Sequence, residues 1–307
     1  MDNYNYYYNS NIGGFADGDD ATNRKEYVIV QSFWTKPVTD GKKFSDMMYM
    51  CALSLEYAHR SGYKVHMHTD SKSYDLFKKF GYDKLYKTLD QIPEDTPKEL
   101  FAAGKFYAMR AEGMTGKIHI DIDVFLKKVG VLDKFYTNTK WDVICQQEED
   151  MSVISHDNII QNMHILGYPP STRPNWRGSL NTGIVGFNNK TLARKYFNNY
   201  FDALKMYKQK DFDEYKVNNP DANLCFDFIL EQRNLSHMSL GYNVLALLPM
   251  SYTYTRDVAN TLGYLHLQGN RKWSVEANTW MKEKLKSLNR VLFNNAKVSA
   301  TKAQYLA

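Results

Sequence analysis

A chain of 307 residues that is 43% hydrophobic and 24% charged suits a soluble globule with a full core, built as one large domain or two modest ones. Its three widely spaced cysteines, Cys51, Cys145 and Cys225, lie in apolar contexts and imply buried free thiols rather than a disulfide framework or a zinc cluster. A net charge of +5 permits contact with nucleic acid or anionic lipid without requiring either, and no apolar run has the length of a membrane span, so a cytoplasmic protein is expected.

Residues 1–24 are rich in Asn, Tyr, Gly and Asp and have no apolar period; they read as a flexible leader whose Tyr6, Tyr7 and Tyr8 could dock on a partner. A strand is expected from Tyr27 to Phe33, then a loop through Pro37 and Gly41 and a helix over 44–60 stopped by Ser61 and Gly62. A second strand ends at Asp70, a helix covers 71–80, a short strand follows at Lys84–Tyr86, and a Pro-rich loop over 91–97 leads to a helix over 99–111. The next strand, Ile118 to Phe125, carries Asp121 and Asp123, which alternation puts on one face while Ile120, Ile122 and Val124 take the other. Strands alternating with helices are the rhythm of a mostly parallel sheet covered on both faces, and ligands of such sheets bind beyond the C-terminal strand ends, where Asp70, Asp121 and Asp123 all fall.

Beyond residue 130 the order is less regular. Trp141–Ile144 reads as a strand leading to an acidic loop, Glu148-Glu149-Asp150, and 167–180 as a Gly/Pro-punctuated loop in which Trp176 is a candidate acceptor wall beside Arg177. Asn181-Thr182-Gly183 reads as a polar turn before an apolar strand ending at Phe187, helices are expected over 190–208 and 221–233, and a strand over 244–248. After a loop over 250–262 comes Leu265-His266-Leu267, then Gly269 and Lys272, and a last amphipathic helix over 275–292 with Ala277, Trp280, Met281, Leu285, Leu288 and Leu292 on one side. Its Lys282, Lys284, Lys286 and Arg290 keep a peripheral contact with a membrane or protein open.

Two close carboxylates repel each other and favour a divalent cation or a shared proton. Their hard oxygens suit Mg2+ or Mn2+, and His266 as an added imidazole ligand shifts the preference toward Mn2+. Gly269 lets backbone approach a phosphate, and Lys272 can neutralise it. Singly, each piece has a bland explanation: Asp-x-Asp recurs in turns and helix caps, one His in an apolar strand is usually packing, and one Lys is usually a solvated surface group. Only their conjunction points to a nucleoside diphosphate leaving group.

The Asp-x-Asp strand and the later His-x-x-Gly-x-x-Lys segment resemble the metal and diphosphate motifs of GT-A fold glycosyltransferases. The nearest likeness is to the retaining family of glycogenin and the bacterial lipopolysaccharide galactosyl- and glucosyltransferases, or a neighbouring branch. The resemblance implies a GT-A-like (Rossmann-like) α/β fold with a mostly parallel sheet and a smaller acceptor-side region. It implies a catalytic domain over 25–275, with a C-terminal amphipathic helix and flexible tail over 276–307. It further implies that Asp121 contacts ribose and metal, that Asp123 and His266 hold Mn2+, and that Gly269 and Lys272 hold the diphosphate. Gln31, Ser32 and Trp34 would lie near the base, Asp70 at the nucleotide edge, Lys105 near ribose and phosphate, and Asn181 near the donor sugar. Asp121, Asp123, Asn181 and Lys272 form the implied catalytic set. The implied reaction moves a hexose from a UDP-sugar to a saccharide or protein acceptor with retention.

The sequence departs from that family in having Trp273 directly after Lys272, and Glu231-Gln232, Asp221 or Asp227 where a late Asp-Gln is common. Competing functions are a sugar nucleotidyltransferase, a glycoside hydrolase, and a non-catalytic carbohydrate-binding or assembly protein on the same scaffold. The first lacks its Gly-rich basic loop after the first strand. The second needs carboxylates flanking a glycosidic bond, which Asp121 and Asp123 are too close together to do. No interleaved basic and aromatic track supports nucleic acid binding.

Overall fold

The computed structural model describes residues 27–150, 156–168, 170–171, 178–248, 258 and 261–306. The expected leader, the proposed acceptor wall at Trp176 and Arg177, and most of the 250–262 loop lie outside the described residues. In chain order the elements are β1 (Val28–Phe33), α1 (Gly41–Arg60), β2 (Lys64–Thr69), α2 (Ser71–Phe77), β3 (Lys84–Tyr86), α3 (Ala103–Ala111), β4 (Ile118–Ile120), β5 (Val124–Leu126), α4 (Asp133–Thr137) and β6 (Val143–Asp150). They continue with α5 (Asp157–Ile165), β7 (Gly178–Phe187), α6 (Lys190–Met206), α7 (Gln209–Asn218), a π-helical segment Phe228–Arg233, α8 (Asn234–Met238), β8 (Val244–Leu248), β9 (Tyr264–His266), α9 (Val275–Leu288) and α10 (Arg290–Ala303).

Seven strands form one sheet in the order β3-β2-β1-β4-β7-β6-β8, while β5 and β9 pair in a small second sheet. Within the large sheet only β7 runs antiparallel to its neighbours, so the expected mostly parallel sheet flanked by helices is what forms. One face carries a core with Met48 and Leu53 of α1, Met281 and Leu285 of α9, and Leu292 and Ala296 of α10. The other carries Phe106 of α3, Tyr196 and Tyr200 of α6 and Leu235 of α8, with the rings of Phe106 and Tyr200 stacked 3.6 Å apart. Each such large apolar side chain contributes about 1.5–3 kcal/mol on burial, and both faces are therefore sealed against water. Asp40 caps α1 by accepting from the backbone of Lys42 and Lys43, and Gly62, at φ +85°, carries the chain away from its end.

Five expectations are corrected. The strand 118–125 is two strands, because β5 leaves β4's sheet to pair with β9, and Asp121 and Asp123 sit in the turn between them. The acidic loop is strand: Glu148 and Glu149 pair with Leu180 and Ser179 in β6 and β7. Asn181-Thr182-Gly183 lies inside β7 rather than in a turn. The helix over 221–233 reduces to the π-helical segment and runs on into α8, while α7 precedes it where none was expected. The single last helix is two helices, and the residues taken as a flexible tail include α10. That helix docks on α1 through Leu292, Ala296, Ala300 and Ala303 so closely that a side chain at Gly41 would meet the Gln304 carbonyl at 2.7 Å. Asn289 makes the break, capping α10 at the Leu292 amide and donating to Glu56 at 2.9 Å. The apolar stripe of α9 is thus spent inside the protein, and among the described residues no helix is long and apolar enough to cross a membrane. Cys51 and Cys145 are buried and Cys225 half-buried, all three as free thiols.

Candidate active site

β4 ends where the sheet changes partner. The Asp121 amide still bonds to the Gly183 carbonyl of β7 at 2.8 Å, but the next bond closes a turn, Val124 N–H to the Asp121 carbonyl at 3.0 Å. The turn gives the two aspartates unlike surroundings: the side chain of Asp121 is 34% exposed and that of Asp123 only 4%. Register brings the distant histidine in, because Val124 of β5 pairs with His266 of β9 and the Leu267 amide bonds to the Asp123 carbonyl at 3.0 Å. His266 Nε2 lies 3.3 Å from Asp123 Oδ1, and ligand atoms from Asp121, Asp123 and His266 all lie within 4.8 Å of one another. Two carboxylate oxygens and an imidazole nitrogen form a donor set that fits Mn2+ or Mg2+.

Gly269, at φ +58°, opens a 3₁₀ turn, Gly269–Trp273, that brings Lys272 back to the aspartates. Its ammonium donates to Asp123 Oδ2 at 2.7 Å. Burial opposes ionisation of Asp123, but Lys272 and His266 outweigh it and hold the carboxyl well below its ordinary range. Lys272 is raised in turn: burial works against its charge, and Asp123 prevails.

A second cation stands on the other side of Asp121. Lys105 of α3 reaches Asp121 Oδ1 at 3.0 Å, Glu231 Oε1 at 2.6 Å and the Thr182 carbonyl at 2.8 Å. Burial alone would lower its pKa; Asp121 and Glu231 overturn that and keep it cationic. Glu231 comes from the π-helical segment, a wide turn that often marks functional positions in helices. Behind Asp121, His119 of β4 bonds through Nε2 with Ser32 Oγ at 2.9 Å, and its Nδ1 lies 3.7 Å from Asp121.

These groups line a cleft of about 200 Å³ whose walls include Ser32, Trp34, Lys105, Asp121, Asp123 and Lys272, together with Glu231, Gln232 and the half-exposed Phe101. Asn181 stands one shell back on β7, donating to Glu149 Oε1 at 3.0 Å and accepting from the Gly183 amide at 3.0 Å. Burial raises the pKa of Glu149, with Asn181 and His266 opposing. Gly183 is required by close approach: a side chain there would meet Gln146 Oε1 at 2.4 Å and His266 Cε1 at 2.7 Å.

Two expected site residues are not brought to this cleft. Gln31 is fully buried on the α1 side and donates to Ser54 Oγ at 2.8 Å. Asp70 caps α2 at the Ser73 amide and accepts both the Thr35 amide and hydroxyl at 2.7 Å. It borders a wider opening of about 630 Å³ with Lys36, Lys72 and Asp90. Glu231 was legible only as one of several acidic candidates and Glu149 only as part of an acidic run, while His119 and Gln146 carried no motif at all.

A family model described as "Family of unknown function (DUF6734)" matches residues 27–295. A search of curated proteins finds no match. Solved structures that align with the chain include mouse xyloside xylosyltransferase 1 in its apo form, at 11% identity over 71% of this chain and 82% of that one with a TM-score of 0.36. The galactosyltransferase LgtC in complex with donor and acceptor sugar analogues aligns at 11% identity over 85% of this chain and 94% of its own, with a TM-score of 0.39. The apo glycosyltransferase GlyE of Streptococcus pneumoniae TIGR4 aligns at 11% identity over 90% of this chain and 64% of its own, with a TM-score of 0.38. Likenesses this distant carry nothing about activity, which has to be read from the cleft.

Proposed function

The chain belongs to the family of unknown function DUF6734, and we propose that it is a metal-dependent GT-A-type glycosyltransferase that moves a hexose from a UDP-sugar to a saccharide or protein acceptor with retention. One observation carries this reading: Asp121, Asp123 and Lys272 line one cleft, and His266, like Lys272 from the far end of the chain, brings a ring nitrogen within 4.8 Å of both carboxylates. A divalent cation held by Asp121, Asp123 and His266 would take up negative charge that grows on a diphosphate as the bond to the sugar breaks. Lys272, now spent on Asp123, is the group that can turn to a phosphate oxygen once the aspartate has another positive partner. Lys105 bonds both Asp121 and Glu231, so in this reading the groups assigned to the ribose and to the sugar would share one anchor.

In the proposed reaction an acceptor hydroxyl attacks the anomeric carbon from the face on which UDP departs. The anomeric C–O bond breaks with its electron pair going to the β-phosphate oxygen, and that oxygen receives the acceptor's proton. Glu231 and Gln232, which line the cleft, are the residues this reading assigns to gripping the transferred sugar. The test is a thermal-shift panel of UDP-, GDP- and CMP-sugars with and without Mn2+, because a ligand that binds only the folded chain raises its apparent stability. A rise with UDP-sugar that requires Mn2+ is expected; no metal-dependent rise with any nucleotide sugar overturns the reading. NMR of the product of a coupled acceptor reports retention, and an inverted anomeric centre removes that part.

A further inference from the structure

β6 and β7 pair with a register shift between Cys145 and Gln147, where Gln146 alone stands opposite Thr182, Gly183 and Ile184, so β7 bulges against Gln146. A bulge re-aims a side chain that regular alternation would have sent elsewhere. Gln146 is 0% exposed, and among the described residues neither its carboxamide oxygen nor its nitrogen has a hydrogen-bond partner. A buried polar group left in that state costs about 1–3 kcal/mol, a penalty with no structural return while the amide stays idle.

Where the amide lies gives it a use. A side chain on Gly183 would fall 2.4 Å from Gln146 Oε1, 2.7 Å from His266 Cε1 and 3.0 Å from His266 Nδ1. The carboxamide oxygen and the Nδ1 edge of the imidazole therefore border the same small space, kept open by the absence of a side chain on Gly183. The opposite edge of the ring, Nε2, faces Asp123. An imidazole whose Nε2 lone pair goes to a cation carries its proton on Nδ1, and metal-ligating histidines hand that N–H to a nearby acceptor that fixes ring and tautomer. Glu149, the other acceptor on this strand that acts on His266, has Oε1 engaged by Asn181.

We propose that Gln146 is a positioning residue of the cation site, its Oε1 accepting the Nδ1–H of His266 and locking the ring with Nε2 toward Asp121 and Asp123. The proposal rests on the metal site of the proposed function. It assigns a role to the bulge, to the gap at Gly183 and to the idle amide together.

The test is Mn2+ titration in the presence of UDP, following the free ion by electron paramagnetic resonance, with melting of the metal-free protein recorded alongside. Gln146→Met keeps the length and removes the acceptor; it is expected to weaken Mn2+ roughly 10–100-fold, the usual effect of losing such a partner, while the metal-free protein melts at or above the wild-type temperature. Gln146→Glu keeps an acceptor and is expected to bind Mn2+ at least as well as wild type. Wild-type affinity in Gln146→Met, or equal weakening in both variants, overturns the positioning role and leaves the metal site standing. No Mn2+ binding by the wild-type chain overturns both. In the unaltered protein, the 15N spectrum of His266 loaded with diamagnetic Zn2+ should show the proton on Nδ1; a proton on Nε2 overturns the proposal without any variant.

Discussion

Two buried aspartates near the cleft are held in opposite ways. Asp123 sits between Lys272 and His266, and these partners overcome its burial and keep it ionised. Asp227, which leads into the π-helical segment, accepts from the Ala102 amide at 2.8 Å and the Tyr200 hydroxyl at 2.7 Å, yet its pKa is pushed up to about 7, first by burial and then by Glu231. The difference lies in the supply of positive charge. Asp123 has a lysine of its own, whereas Asp227 stands behind Glu231, which already claims Lys105. One region is thereby poised to exchange a lysine for a divalent cation, and the other is a buttress tied to Ala102 and Tyr200 whose carboxyl is about half protonated near neutral pH.

The most severe way to break this contrast is to neutralise the exchanging side. Asp123→Asn removes a negative ligand from the cation site, and because losing even an outer partner of a metal commonly costs 10–100-fold, turnover should fall by at least about 100-fold. The Mn2+-dependent rise in melting temperature with UDP-sugar should vanish while the metal-free protein stays folded. A metal-dependent rise of wild-type size in this variant removes Asp123 from the site.

Lys272→Ala sharpens the contrast from the other partner. It leaves Asp123 buried opposite His266 alone, and truncating one member of a buried pair costs about 3–5 kcal/mol. The Lys272 side chain is 28% exposed, so solvent screens part of the loss and about 1–3 kcal/mol is expected. At about 2–4 °C per kcal/mol the chelator-treated variant should melt several degrees below wild type, and Mn2+ should return part of the difference by giving Asp123 a new cation. If Mn2+ returns nothing, Asp123 is not the group that exchanges Lys272 for metal.

Much of the exchanging side was legible because its residues are of unusual type in apolar segments: Asp121, Asp123, His266 and Lys272 stand out against isoleucine, valine and leucine. Their surroundings were not legible. Alternation predicts an unbroken strand through Asp123, but a strand continues only as far as its partner, and the chain changes partner from β7 along β4 to β9 along β5. The buttress was illegible for a related reason: a π-helical segment has the same composition as an α-helix, and only packing against β7 and α6 decides which turn carries Glu231 into the cleft. Gln31 and Asp70 fell at the strand ends where ligands bind, yet one points into the α1 face and the other is consumed by a cap. Sequence position chose the sheet edge; side-chain direction was set by neighbours far along the chain.

The smallest expected effect tests the buttress. A carboxyl raised to about 7 in the folded chain, against about 3.9 in an unfolded one, takes up its proton more readily when folded. Its contribution to stability is therefore complete below about pH 4 and is lost as pH rises through 7. Between pH 6 and 8 that loss amounts to about 1 kcal/mol for one such group, since one pKa unit is worth about 1.4 kcal/mol. Asp227→Asn supplies a permanently neutral group of the same shape, whose carbonyl can still accept from Ala102 and whose amide can donate to the Tyr200 oxygen once that hydroxyl rotates. Urea unfolding at pH 6 and pH 8 should show the wild type losing stability over this interval and the variant losing less by about that amount. Equal losses in the two proteins would mean that Asp227 is ionised like Asp123, and that the cleft holds its two aspartates in the same way after all.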